Sequence, residues 1–149
     1  MPSRHTPRPP ESEREAARLL EHCGFTDVRL IPVEKYRKTA DLVAEKDGRR
    51  WAIEVRTSTR PLRADASFAP KDEKPLPYPT LETYFAMTWA EKRGQLEATR
   101  AAERCDDAML LIMVEGEPAP AWEKALTRAW DAAGKPDVRF ALGCGDTLL

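Results

Sequence analysis

An Asp47-Gly48 pair stands between two runs of mixed apolar and charged residues, 40–46 and 49–57. Such a pair supplies the two positive-φ residues of a two-residue hairpin turn, whose twist matches that of the strands it joins. With Asp47 and Gly48 at the turn centre, Lys46 pairs with Arg49 and the numbers of every facing pair sum to 95. Asp41 then comes to lie opposite Glu54. Side chains alternate faces along a strand, so Leu42, Ala44, Trp51, Ile53 and Val55 share an apolar face, while Asp41, Glu54 and Arg56 share the other.

The flanking sequence extends this hairpin into an α/β domain. Ser12 and Glu15 have the spacing of a capping box, and Ala16, Leu19, Leu20 and Cys23 recur at helical intervals until Gly24. Residues 27–33 read as a strand that completes a three-stranded meander. Helix-forming composition returns at 81–104, with Phe85, Trp89 and Leu96 on one side. The unbroken apolar run at 108–114 is the pattern of a central strand covered on both faces. Trp122, Leu126, Ala129 and Ala133 mark a further helix ended by Gly134 and Pro136, and Val138, Phe140 and Leu142 alternate as a last strand. The expected order is α-βββ-α-β-α-β, a mixed central sheet flanked by helices. Trp89, Trp122 and Trp130 lie at helical spacings and are expected in the core.

A chain of 149 residues accommodates one domain, placed at 11–149. Residues 1–10 are basic and proline-rich without the apolar stretch of a secretory signal, and are expected to form a mobile arm. Between 58 and 80 five prolines suppress regular structure, and loops of that length inside a compact domain are usually functional or disordered. No apolar run approaches the roughly 18 residues needed to cross a bilayer, so no membrane association is expected. Cys23, Cys105 and Cys144 are widely separated and only His5 and His22 could join them as ligands. Neither a disulfide framework nor a zinc finger fits, and a reducing cytoplasm is the expected compartment. The net charge of −1 conceals an uneven distribution: residues 29–74 carry a balance of +4 and residues 75–149 a balance of −4. A basic first half permits a local anion-binding face.

Two like charges directly opposed across a hairpin, with Cβ atoms about 4.5–5.5 Å apart, repel each other unless something neutralises them. A divalent cation does so, and magnesium is commonly held by one or two carboxylates with water and substrate phosphate. The competing account is that Thr39, Arg56 or solvent relieves Asp41 and Glu54 as surface charges. Position argues for a site: Asp41 opens its strand, and Glu54 sits between Ile53 and Val55 in a segment otherwise built for a core.

The run TADLVAEKDGRRWAIEVRT resembles the motif of the PD-(D/E)xK restriction-endonuclease-like nucleases, an acid opening one strand and an acid-x-lysine on the next. Asp41, Glu54 and Arg56 occupy those places, with arginine where the pattern has lysine. The upstream segment ESEREAARLLEHCGF is similar to the first helix of the archaeal Holliday junction resolvase branch, and Glu13 stands where that branch places a glutamate of the metal site. The resemblance spans roughly residues 11–114. It implies a restriction-endonuclease-like fold and a DNA endonuclease that uses Mg2+ or Mn2+. Asp41, Glu54 and Glu13 would be its metal ligands, and Asp41, Glu54 and Arg56 its catalytic residues. Arginine supplies charge and a bidentate phosphate contact, but its high pKa bars it from acting as a base.

DNA is the expected partner, and a homodimer is compatible with the reading. Arg60, Arg63 and Lys71 in the long loop, interleaved with Phe68 and Tyr78, suit phosphate contact and base stacking. Lys92 and Gln95 follow on the next helix, where relatives of the resembled family carry lysine or glutamine near the scissile phosphate. Two rivals belong to other classes: a catalytically silent nucleic-acid-binding module, and a protein-interaction domain that docks a partner through the 58–80 loop.

Overall fold

The computed structural model describes residues 11–31, 40–58, 80–114 and 120–149. Helix α1 (Glu11–His22) precedes β1 (Thr26–Leu30), β2 (Leu42–Lys46) and β3 (Arg49–Thr57). Helix α2 (Leu81–Ala102), β4 (Asp107–Val114), α3 (Pro120–Ala132), β5 (Arg139–Cys144) and β6 (Thr147–Leu148) follow. The strands form one mixed sheet in sequential order from β1 to β6. Pairing is antiparallel for β1–β2, β2–β3 and β5–β6, and parallel for β3–β4 and β4–β5. The architecture is α/β.

Both parallel connections are helical crossovers that advance in one direction along the sheet, so α2 and α3 cover the same face. Phe85, Trp89 and Leu96 of α2 and Ala125, Leu126 and Ala129 of α3 pack there on Ala52, Leu110, Ile112 and Phe140. The opposite face receives α1, whose Ala16, Leu19 and Leu20 meet Leu42, Ile53, Val55, Met109 and Leu111. A strand covered on both sides gains nothing from alternating polarity, and β4 accordingly buries six consecutive residues.

The turn behaves as its residues dictate. Asp47 and Gly48 adopt φ values of 52° and 76°, and the ladder runs from Lys46–Arg49 to Leu42–Ile53. Its far end departs from expectation, because β2 begins at Leu42 and not at residue 40. Asp41 lies in a bend, and its N–H donates to the Ile53 carbonyl at 3.1 Å, one place out of register. Asp41 is therefore not the cross-strand partner of Glu54 in a regular ladder.

Other elements also differ from the sequence reading. The first helix starts at Glu11, which puts Ser12 inside its first turn instead of at the cap. Strand β1 stops at Leu30 and is broken by an irregularity around Asp27, whose φ is 50°. Strand β5 alternates faces as expected, with Phe140 and Leu142 in one core and Ala141 in the other; both of its faces are covered, and an unforeseen β6 pairs beside it. Trp89 is buried as expected, whereas Trp122 and Trp130 are only partly buried against the same cluster.

The arm at 1–10 and residues 59–79 of the expected loop lie outside the described residues, as do Arg60, Arg63 and Lys71. At the loop's two ends, the Ser58 N–H donates to the Met113 carbonyl at 3.0 Å, and Thr80 caps α2 by accepting from the Thr83 N–H at 3.2 Å. Among the described residues no helix is long and apolar enough to cross a membrane. The three cysteines are free thiols.

Candidate functional site

Strand β3 and its parallel neighbour β4 end on the same edge of the sheet, where α1 starts and where Asp41 leads into β2. Crevices at the carboxyl ends of parallel strands are the usual ligand positions of open α/β sheets. The bend at Asp41 turns its side chain into the ladder: Asp41 Oδ2 accepts the Val55 N–H at 2.8 Å, continuing the β2–β3 hydrogen bonding with a carboxylate in place of a carbonyl. The segment before it is anchored from the other side. The Ala40 N–H donates to Thr99 Oγ1 of α2 at 2.7 Å in a buried contact.

Glu54 follows from strand parity. It lies on the α2 face of β3 with Ala52 and Arg56, beside Leu110 of β4, and is only 4% exposed. A carboxylate so enclosed is costly to ionise. Burial, the neighbouring charge of Asp41 and a hydrogen bond shared with Asp41 push the Glu54 carboxyl up to about 9, against a weaker opposing pull from Lys92 and then Arg56. Near neutral pH Glu54 and Asp41 thus share a proton across their contact, and the buried site favours the neutral form of Glu54. Its other oxygen, Oε1, is buried without a hydrogen-bond partner among the described residues.

Glu13, on the first turn of α1, reaches Asp41 from the opposite layer. Burial, a hydrogen bond with Asp41 and the Asp41 charge raise its carboxyl to about 7. Asp41 is the hub: one carboxylate receives a backbone N–H and is shared by two acids from separate elements. Among the described residues no three His, Cys, Asp or Glu side chains stand gathered in a geometry that would hold a metal ion. The carboxylates meet pairwise through Asp41.

Helix α2 lays its polar face over the same region. Arg56 Nη2 lies 3.3 Å from Glu91 Oε2, and Lys92 Nζ lies 3.8 Å from Glu91 Oε1. Gln95, one turn further, has its Oε1 buried without a hydrogen-bond partner among the described residues. The structure therefore brings Glu13, Asp41, Glu54, Arg56, Lys92 and Gln95 to one end of the sheet. Glu91 and Thr99 were not singled out from sequence. The spacing of Thr99 three residues after Leu96, on the same helical face, was the available sequence sign of Thr99, and Glu91 gave none beyond preceding Lys92.

A cleft of about 500 Å³ opens on the α1 side of this edge, bordered by Arg18, His22, Thr57, Val114 and Asp146. Neither Asp41 nor Glu54 lines it. No family model, curated protein or solved structure matches this chain.

Proposed function

We propose that this chain is a metal-dependent phosphodiesterase acting on DNA, built on a restriction-endonuclease-like fold of the PD-(D/E)xK type. The observation that carries the reading is Glu54: an acid 4% exposed, sharing a proton with Asp41, with an oxygen that finds no hydrogen-bond partner among the described residues. A buried carboxyl group left this way destabilises the fold unless a ligand uses it, which marks Glu54 as a ligand-binding candidate.

The donor chemistry fits a hard divalent cation, which takes carboxylate oxygens and leaves room for water and phosphate. Asp41 and Glu54 would hold Mg2+ or Mn2+ with Glu13 assisting, and the cation would supply Lewis-acid stabilisation of charge on the scissile phosphate. The protein's own part is positional and electrostatic. Binding requires Glu54 and Glu13 to release their protons, so ligand uptake is favoured above neutral pH. The Val55 N–H fixes one Asp41 oxygen and leaves the other to the site. Arg56 contributes a fixed positive charge to the phosphate in its transition state, and Lys92 adds a second from α2.

A second reading, a nucleic-acid-binding module without catalysis, is favoured by one observation: the lysine position holds an arginine, and that arginine is ion-paired with Glu91. A nicking and cleavage assay with Mg2+ and Mn2+ on linear, supercoiled, single-stranded and junction DNA separates the two. Metal-dependent cleavage that Glu54→Gln abolishes supports the enzyme. Salt-dependent DNA binding without cleavage on any form supports the module.

A further inference from the structure

Glu91 is a carboxylate held between two cations from different elements. One oxygen faces Arg56 of β3 at 3.3 Å and the other faces Lys92 of α2 at 3.8 Å. The Glu91 side chain is 55% exposed, Arg56 38% and Lys92 21%. Exposed ion pairs of this kind contribute at most about 1 kcal/mol. The contact is not what fastens α2 to the sheet, since Leu81, Phe85 and Leu96 are fully buried beneath it. Its location is more telling: the two cations converge beside Glu54, and both favour the ionised form of that acid.

A carboxylate offers a guanidinium the same pair of anionic oxygens that a phosphate offers, and arginine forks bind both. We propose that Arg56 and Lys92 form an oxyanion site for one phosphate group of a nucleic-acid backbone, and that Glu91 occupies this site in the free protein as an internal competitor. Binding of phosphate displaces the Glu91 carboxylate toward solvent, which its exposure already allows. With Glu91 in place the three side chains carry a net charge of about +1, and with its charge removed about +2, so the competitor weakens capture of every anion at this position. The choice of phosphate rests on the phosphodiesterase reading. The competition itself does not.

The test is an NMR titration of the full chain in metal-stripped buffer, with inorganic phosphate as the probe and ionic strength held constant with sodium chloride. Phosphate is expected to shift the Arg56 side-chain Nε–H and the backbone amides of Glu91, Lys92 and Arg93. Glu91→Gln should tighten phosphate binding by about threefold to tenfold, the factor expected for loss of an exposed carboxylate competing for two cations. Arg56→Met or Lys92→Met, each placed in the Glu91→Gln background, should erase the gain. Equal or weaker binding by Glu91→Gln overturns the proposal, as does a phosphate response that leaves Arg56 and Lys92 unmoved. Cleavage is scored separately on wild type. Absence of cleavage together with tighter phosphate binding by Glu91→Gln removes the enzyme and keeps the competitor, whereas cleavage with unchanged phosphate affinity does the reverse.

Discussion

Raising the pH should destabilise this protein in the absence of metal, and Glu54 should be the main cause. In the unfolded chain its carboxyl titrates near its ordinary value of 4.5, and in the folded protein near 9. Between those limits the native state keeps a proton that the unfolded chain has released, so each step up in pH favours unfolding. The contribution is fully present below about 4.5 and is lost as the pH climbs toward 9. One proton is worth about 1.4 kcal/mol per pH unit. From pH 6 to pH 8 Glu54 alone therefore removes on the order of 2–3 kcal/mol, or roughly 5–10 °C in Tm for a chain of this size. Glu13 acts in the same direction up to about 7, more weakly because solvent reaches it.

The assay is thermal unfolding in metal-stripped buffer from pH 5 to pH 9, comparing wild type with Glu54→Gln. The amide keeps the size and the donor of the protonated acid but has no proton to lose. The two stability curves should converge near pH 5 and separate with rising pH, Glu54→Gln becoming the more stable protein above neutrality. Parallel curves, or a wild type that gains stability from pH 6 to pH 8 relative to the variant, would refute the account of Glu54 as a buried, protonated acid.

Three further outcomes are expected. Thr99→Val leaves the buried Ala40 N–H without its acceptor and should cost about 1–3 kcal/mol in denaturant unfolding, with loosened amide-exchange protection at Asp41 and Leu42. Gly48→Ala forces a side chain into a positive-φ turn position and should cost about 1–2 kcal/mol, measured by the same unfolding experiment. Arg56→Ala should lower metal-dependent DNA cleavage by on the order of 10²–10³ through loss of a transition-state contact, while Arg56→Lys, which keeps the charge, should retain cleavage. Equal losses in the two variants would show that charge at position 56 is not what matters.

The parts of the fold legible in sequence were those in which local chemistry and burial agree. Asp47-Gly48 can form little else than a tight turn, and it carried the β2–β3 register with it. The apolar run of β4 announced coverage on both faces, and the structure supplies α1 on one side and α2 with α3 on the other. What escaped was set by tertiary contact. Asp41 leaves the ladder because its own side chain satisfies the Val55 N–H and because Thr99 holds Ala40, and neither interaction has a periodic signature. Strand β5 kept its expected alternation, but the burial of its second face went unread because Ala141 and Gly143, the small residues there, carry little apolar signal. A Cβ at Gly143 would come within 2.6 Å of the Met113 sulfur and 2.7 Å of Leu19. At the site, alternation placed Glu54 with Arg56, but the depth of Glu54 depends on α2, a helix that arrives from beyond the 59–79 segment. Glu91 stood out no more than any other helix acid, since its bond to Arg56 spans 35 positions.

The central claim is that Asp41 and Glu54, with Glu13 beside them, are the ligands of a divalent cation. The most direct measurement is electron paramagnetic resonance of free Mn2+ titrated with the protein at pH 8, where Glu13 is ionised and Glu54 is within reach of deprotonation. Wild type should remove Mn2+ from the free signal. The Asp41→Asn, Glu54→Gln double variant, shown to be folded by its cooperative thermal transition, should leave that signal at the level of a protein-free control. Equal Mn2+ binding by wild type and double variant, or none by wild type, would contradict the claim.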